Sequence, residues 1–187
     1  MLKFYLNREL SARLGIPLSR WKRWSREFLP PDPLGGLQSG YARQYSVKDS
    51  FSVYLAGYLV AVVGFSIPET RQILNDLNGW LKKNIITPYQ AMATSEGDDW
   101  AAATKLELLI IPAEGRTSPA FTYRVRFLRE RKFLSGGNMP LWQEQFTEQT
   151  LKPCKPSRGG CYPICARRVD ISTVAQYFFQ RLTAQSG

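Results

Sequence analysis

The stretch that most limits what this chain can become is residues 7 to 28, an apolar-spaced segment, a glycine, and a basic segment with two tryptophans. Leu10 and Leu14 stand four apart, so on a helix they share one face. Gly15 can take the left-handed backbone that closes a helix, and Ile16-Pro17 redirects the chain. Asn7 is expected to cap the first helix. At about 100° per residue, Leu18, Trp21, Trp24 and Phe28 gather on one side of the second helix. Ser19, Lys22, Arg23 and Arg26 fall in an arc of roughly 100° on the other side, with Arg20 beside them. One face can pack and the other can hold phosphate. The same residues would also serve an ordinary helical hairpin with a solvated basic face, so the choice between the two rests on residues 30 to 77.

Pro30-Pro31-Asp32-Pro33 stops the second helix, and Gly35-Gly36 and Ser39-Gly40 bracket a short polar stretch. Tyr41-Ala42-Arg43-Gln44-Tyr45 alternates aromatic and polar residues, as a small exposed hairpin or wing would. Ser46-Val47-Lys48-Asp49 has the form of a capping box. After it Phe51, Tyr54, Leu55, Tyr58, Leu59 and Val62 recur at helical spacing until Gly64 ends the run. A second box, Ser66-Ile67-Pro68-Glu69, opens a helix with Ile73, Leu74 and Leu77 inward.

This order resembles the winged helix-turn-helix domain of the MerR regulators and of the related excisionase-type DNA-binding proteins. The resemblance rests on Glu9-Leu10-Ser11-Ala12-Arg13-Leu14-Gly15-Ile16, the basic helix with Trp24, Leu29-Pro30-Pro31, Arg43-Gln44-Tyr45-Ser46, and Gly64-Phe65-Ser66-Ile67-Pro68-Glu69-Thr70. It implies a mainly α winged helix-turn-helix domain over residues 1–77 whose partner is double-stranded DNA. Its contacts would be Ser19, Arg20, Lys22, Arg23 and Arg26 on the basic helix, with Tyr41, Arg43, Tyr45 and Lys48 in and after the wing. Trp24 is closer to the excisionase variety than to typical MerR regulators.

Beyond residue 77 the expectation is a connecting helix and linker over 78–99, then a small α+β domain over 100–187. Residues 106 to 111 form a nearly continuous β-rich apolar run. In residues 121 to 127, Phe121, Tyr123, Val125 and Phe127 alternate with polar partners, which turns Arg124 and Arg126 outward as candidate secondary nucleic-acid contacts. A short helix is expected near residues 141 to 150. A better one is expected over 171 to 182, with Ile171, Val174, Tyr177, Phe178 and Leu182 on one stripe and Asp170 near its start. No sustained heptad follows Leu77, so a homodimer would form through the C-terminal domain and not through the long helix of typical MerR regulators.

Composition narrows the function classes. A formal charge of +10 with no histidine points to a polyanionic partner. Residues 1 to 48 hold nine Lys or Arg against three Asp or Glu, so the excess sits where the motif needs it. Without histidine, a nucleotide-binding glycine motif or a clustered pair of acids, the chain reads as a non-enzyme that needs no cofactor. No apolar run approaches the roughly 18 residues that would span a bilayer, which suggests a cytoplasmic protein without a membrane partner. Cys154, Cys161 and Cys165 lie in a basic loop with the spacing C-x6-C-x3-C. Thiolates there could bind a soft metal or sense oxidation. However, zinc sites usually show closer pairs and a fourth ligand, so the favoured reading is packed thiols and no metal. The leading function is a sequence-specific DNA-binding transcriptional regulator. The alternative is an architectural protein of phage or mobile-element type, such as an excisionase or a packaging-initiation subunit.

Overall fold

The computed structural model describes residues 4–32, 42–94, 105–112, 120–134, 141–152 and 166–184. The chain is mixed α+β, with helices and two antiparallel sheets, and divides into two compact units. One comprises Met1–Trp100 with Val174–Gly187, the other Ala101–Thr173. These units are drawn differently from the expected 1–77, 78–99 and 100–187. The physical reason is burial: Ile85, Ile86 and Tyr89, read as connector, and Phe178 and Phe179, read as second-domain helix, all sit in the core of the first unit.

In that unit strand β1 (Tyr5–Leu6) leads directly into α1 (Asn7–Leu14), and α2 (Leu18–Phe28) comes next. Strand β2 (Gln44–Tyr45) pairs antiparallel with β1, Tyr5 opposite Tyr45 and Leu6 opposite Gln44. The exposed hairpin expected at 41–45 is therefore replaced, at Gln44 and Tyr45, by pairing with the N-terminal segment. Asn7 is not the cap of α1 either. Leu6 holds that position without a side-chain bond, and Asn7 turns to Tyr45.

Helix α3 (Val47–Tyr58) starts at a complete capping box. Ser46 Oγ accepts from the Asp49 N–H at 3.1 Å, and Asp49 Oδ2 accepts from the Ser46 N–H. Helix α4 (Ile67–Leu81) has the matching box between Ser66 and Glu69. Between them α3 widens into a π-helical turn, Leu59–Val63, closed by Gly64 at φ 82° and by a Phe65 N–H to Leu59 carbonyl bond. The wider turn rotates its later residues off the apolar stripe, and Val62, expected inward, is 67% exposed. A second π-helical turn, Lys82–Ile86, carries α4 into α5 (Thr87–Thr94).

The second unit is a four-stranded antiparallel sheet of order β5-β4-β3-β6, made of β3 (Leu106–Pro112), β4 (Phe121–Leu134), β5 (Leu141–Lys152) and β6 (Arg167–Asp170). Leu108, Ile110, Tyr123, Val125 and Val169 form its buried rows. The helix expected near 141–150 is strand β5. Its glutamines and glutamates suit a helix, but the pairing with β4 runs as far as Leu134 opposite Leu141 and overrides that weak preference.

Helix α6 (Ile171–Thr183) begins where Asp170 Oδ1 accepts from the Thr173 N–H at 2.9 Å. Its stripe is Ile171, Val174, Phe178 and Leu182, with Phe179 added, whereas Tyr177 lies 44% exposed with the Arg181 guanidinium 4.5 Å from its ring. Phe178 meets Phe51 edge-on at 5.3 Å, and Phe179 stacks on Tyr89 at 5.7 Å. Because this cluster joins α3, α5 and α6, a fragment ending at Asn78 should show no cooperative thermal unfolding. In the full chain Phe178→Ala should lower stability by about 3–5 kcal/mol in a denaturant titration.

Beside this cluster, burial pushes the Tyr54 phenol up to about 12. Tyr177 and Tyr58 add to the shift and Arg181 opposes it. A folded-state value above the ordinary 10.0 means that the protonated phenol favours the fold below pH 10, and that this contribution is lost as pH rises from 10 to 12. Denaturant titrations across that range should show a smaller alkaline loss for Tyr54→Phe than for the parent.

Candidate nucleic-acid interface

The site is built on α2, whose inner face is fixed before its outer face can be used. Trp21 is fully buried and meets the Tyr45 ring edge-on at 5.8 Å. Ser25, one turn on, is also buried, and its hydroxyl lies 2.8 Å from the Tyr45 phenol oxygen. That phenol donates to Asn7 Oδ1 at 2.6 Å, so its single proton is used and Ser25 must be the donor to it. Trp24 lies over Gly57 of α3, where an added Cβ would come within 2.2–2.6 Å of three indole carbons.

The turn before α2 is held as firmly. Gly15 is left-handed at φ 66°, Ser11 Oγ donates to the Ile16 carbonyl at 2.7 Å, and the Ile16 N–H returns to the Ser11 carbonyl at 3.1 Å. At the far end of α2, Arg71 of α4 donates to the Glu27 carbonyl at 2.8 Å and to its carboxylate at 2.6 Å.

This packing turns Ser19, Arg20, Lys22, Arg23 and Arg26 to the exposed side of α2. Among the described residues none of these four cations forms an ion pair, in contrast to Arg13, Arg71, Arg124 and Arg126, which all do. A cavity of about 530 Å³ opens at the end of the helix, lined among others by Lys22, Arg26, Asp32, Arg43 and Tyr45.

The remaining expected contacts divide. Lys48 is half-buried in the first turn of α3. Arg43 is half-buried, donates to the Pro30 carbonyl at 2.9 Å and lies 5.5 Å from the centre of the Tyr45 ring. Tyr45 is 1% exposed, so its expected role as a DNA contact is corrected to a core role. Alternation along 41–45 could not reveal this, because the groups that meet its ring and hydroxyl, Trp21, Ser25 and Asn7, lie twenty or more residues earlier. Tyr41 lies outside the described residues, as do Cys154, Cys161 and Cys165. Ser25 and Asn7, whose hydrogen bonds orient α2, were missed; only a small polar residue on an otherwise apolar helix face could have signalled Ser25.

Arg124 and Arg126, the expected secondary contacts, are engaged within the sheet. Arg124 pairs with Glu148 at 3.1 Å. Arg126 lies 3.7 Å from both Glu148 and the buried Glu107, with its guanidinium 4.8 Å from the Phe146 ring centre. Among the described residues no group of three or more His, Cys, Asp or Glu side chains could hold a metal ion, and no helix is long and apolar enough to cross a membrane.

Compared with family models, curated proteins and solved structures, the chain matches none.

An alanine in a helix is normally better than glycine by up to about 1 kcal/mol. At Gly57 the overlap with Trp24 should reverse the sign. Gly57→Ala is expected to cost about 1–3 kcal/mol, measured by urea unfolding, and to shift the tryptophan emission spectrum.

Proposed function

We propose that this chain is a sequence-specific double-stranded DNA-binding protein, a MerR-like winged helix-turn-helix regulator that lays α2 into the major groove. The observation that carries the reading is the exposed face of α2. Its four cations lie opposite a buried Trp21–Ser25 face and are unpaired among the described residues. A helix of this diameter fits the major groove, where arginine and lysine reach guanine edges and phosphates. The overall charge of +10 adds attraction at a distance. The short β1·β2 ribbon and the capped α3 and α4 supply the frame that such a helix needs.

A second reading, an architectural protein of phage or mobile-element type, is favoured by one observation. Tyr89 on α5, which continues α4 through a π-helical turn, is buried against Phe179, where a MerR regulator would be expected to present a dimerisation helix. Footprinting with molar mass measured in the same buffer separates the two. A regulator should be dimeric, through its C-terminal half, on a roughly palindromic site, and an architectural protein should bend DNA over an irregular site.

For either, Lys22→Ala, Arg23→Ala and Arg26→Ala should each weaken binding. The loss should be about 1–3 kcal/mol where a base contact is removed and less for a phosphate. Fluorescence anisotropy titrations at moderate salt check this. Unchanged affinity in all three, with the fold intact, would rule out α2 as the reading helix.

A further inference from the structure

The turn that launches α2 is completed by a side chain 167 positions beyond it in sequence. Within the turn, the Gly15 N–H donates to the Ala12 carbonyl at 3.3 Å and the Ile16 N–H to the Ser11 carbonyl at 3.1 Å. The Leu14 carbonyl is met instead from α6, by Arg181 Nη1 at 3.2 Å. The guanidinium fits there because Gly15 carries no side chain: a Cβ would lie 2.8 Å from the same Nη1. Gly15 thus supplies both the left-handed backbone, at φ 66°, and an open face. Arg181 is itself held in place. Its guanidinium lies 4.5 Å from the centre of the Tyr177 ring, one turn back on α6. The end of α6 is held by Arg13 Nη1, which donates to the Leu182 and Ala184 carbonyls at 3.0 and 2.7 Å, and Arg13 is oriented by Glu9 at 3.0 Å. All these residues belong to the first unit. A helix of 11 residues is about 16 Å long, so a swing of about 10° at this turn moves its far end by about 3 Å. That is more than a hydrogen bond to a base edge or a phosphate tolerates.

We infer that Arg181 is a positioning residue: it locks the turn between α1 and α2 and thereby sets where the basic face of α2 stands. The consequence for binding rests on the DNA-binding reading, whereas the lock does not. Two variants of the full chain attack the contact from opposite sides. Arg181→Met keeps the apolar stem and loses the donors, and Gly15→Ala displaces the guanidinium; should Gly15→Ala fail to fold, Arg181→Met alone carries both tests. The first test needs no DNA. Amide hydrogen exchange at Ile16, whose bond to Ser11 spans the turn, should be several-fold faster in each variant than in the parent. The double variant should exchange no faster than Gly15→Ala, which already dislodges the guanidinium. Unchanged exchange, or effects that multiply, would overturn the lock whatever the protein binds.

The second test is affinity, at a temperature where every variant is folded, for a duplex that the parent selects from a randomised pool. Arg181→Met and Gly15→Ala should each weaken binding about tenfold, the size of one misplaced base-edge contact, with the same dependence of log K on log salt as each other. Lys22→Ala serves as the reference, because a lost phosphate contact lowers that slope by about 0.9. Such a drop in Arg181→Met but not in Gly15→Ala would make Arg181 a direct contact and overturn the inference. So would parent-like affinity in Arg181→Met while Lys22→Ala binds weakly. Faster exchange in a protein whose Lys22→Ala, Arg23→Ala and Arg26→Ala variants all bind as the parent does would keep the lock and discard the DNA-binding reading instead.

Discussion

The phenol of Tyr45 is the point on which the first unit depends. It is buried, and its oxygen sits between Ser25 and Asn7, so one group ties strand β2, helix α2 and the start of α1. A buried hydroxyl without partners would cost about 1–3 kcal/mol, which makes this arrangement directional in a way that apolar packing is not. With Ser25 bonded inward and Trp21 packed against the same ring, the rotation of α2 about its axis is fixed. The basic residues are outward because these two are inward.

A second constraint acts at the ends of two helices. The C-terminal carbonyls of α6 accept from Arg13, at 3.0 Å to Leu182 and 2.7 Å to Ala184, while the Leu14 carbonyl at the end of α1 accepts from Arg181 at 3.2 Å. Each helix end thus receives a guanidinium from the other, and the negative pole and unsatisfied carbonyls of both termini are met. Together with Phe178 and Phe179 against Phe51 and Tyr89, this makes the last described helix a structural part of the unit that carries the basic face. A fragment cut out at residue 77 would leave its own core open.

The sheet of the second unit handles charge differently. Arg126 on β4 lies between Glu148 on β5 and Glu107 on β3, which also has Lys105 at 3.8 Å. Cross-strand opposite charges of this kind stabilise a sheet by fractions of a kcal/mol to about 1 kcal/mol, and they leave less of the arginine charge for a polyanion. The cations of α2, without ion pairs among the described residues, and the engaged ones of β4 are the same residue types. Only the neighbours differ.

How much of this was legible in the sequence depends on how local each cause is. Both capping boxes, the left-handed Gly15 and Gly64, the amphipathic α2 and the alternation of Phe121, Tyr123 and Val125 are set by residues within four positions of one another, and a linear reading finds them. Three further features had causes far away in the chain. Tyr45 is inside because Trp21, Ser25 and Asn7, twenty or more residues earlier, close around its ring and hydroxyl. Residues 141–152 form a strand because β4 offers an edge, though their composition leans to helix. The division of the chain is set by Phe178 and Phe179, which sit beside Phe51 although more than a hundred residues separate them. The sequence by itself determined the helix ends, the basic face and its charge. Tertiary structure alone decided which polar groups are buried partners and which arginines are held in ion pairs, because burial depends on neighbours that sequence distance does not reveal.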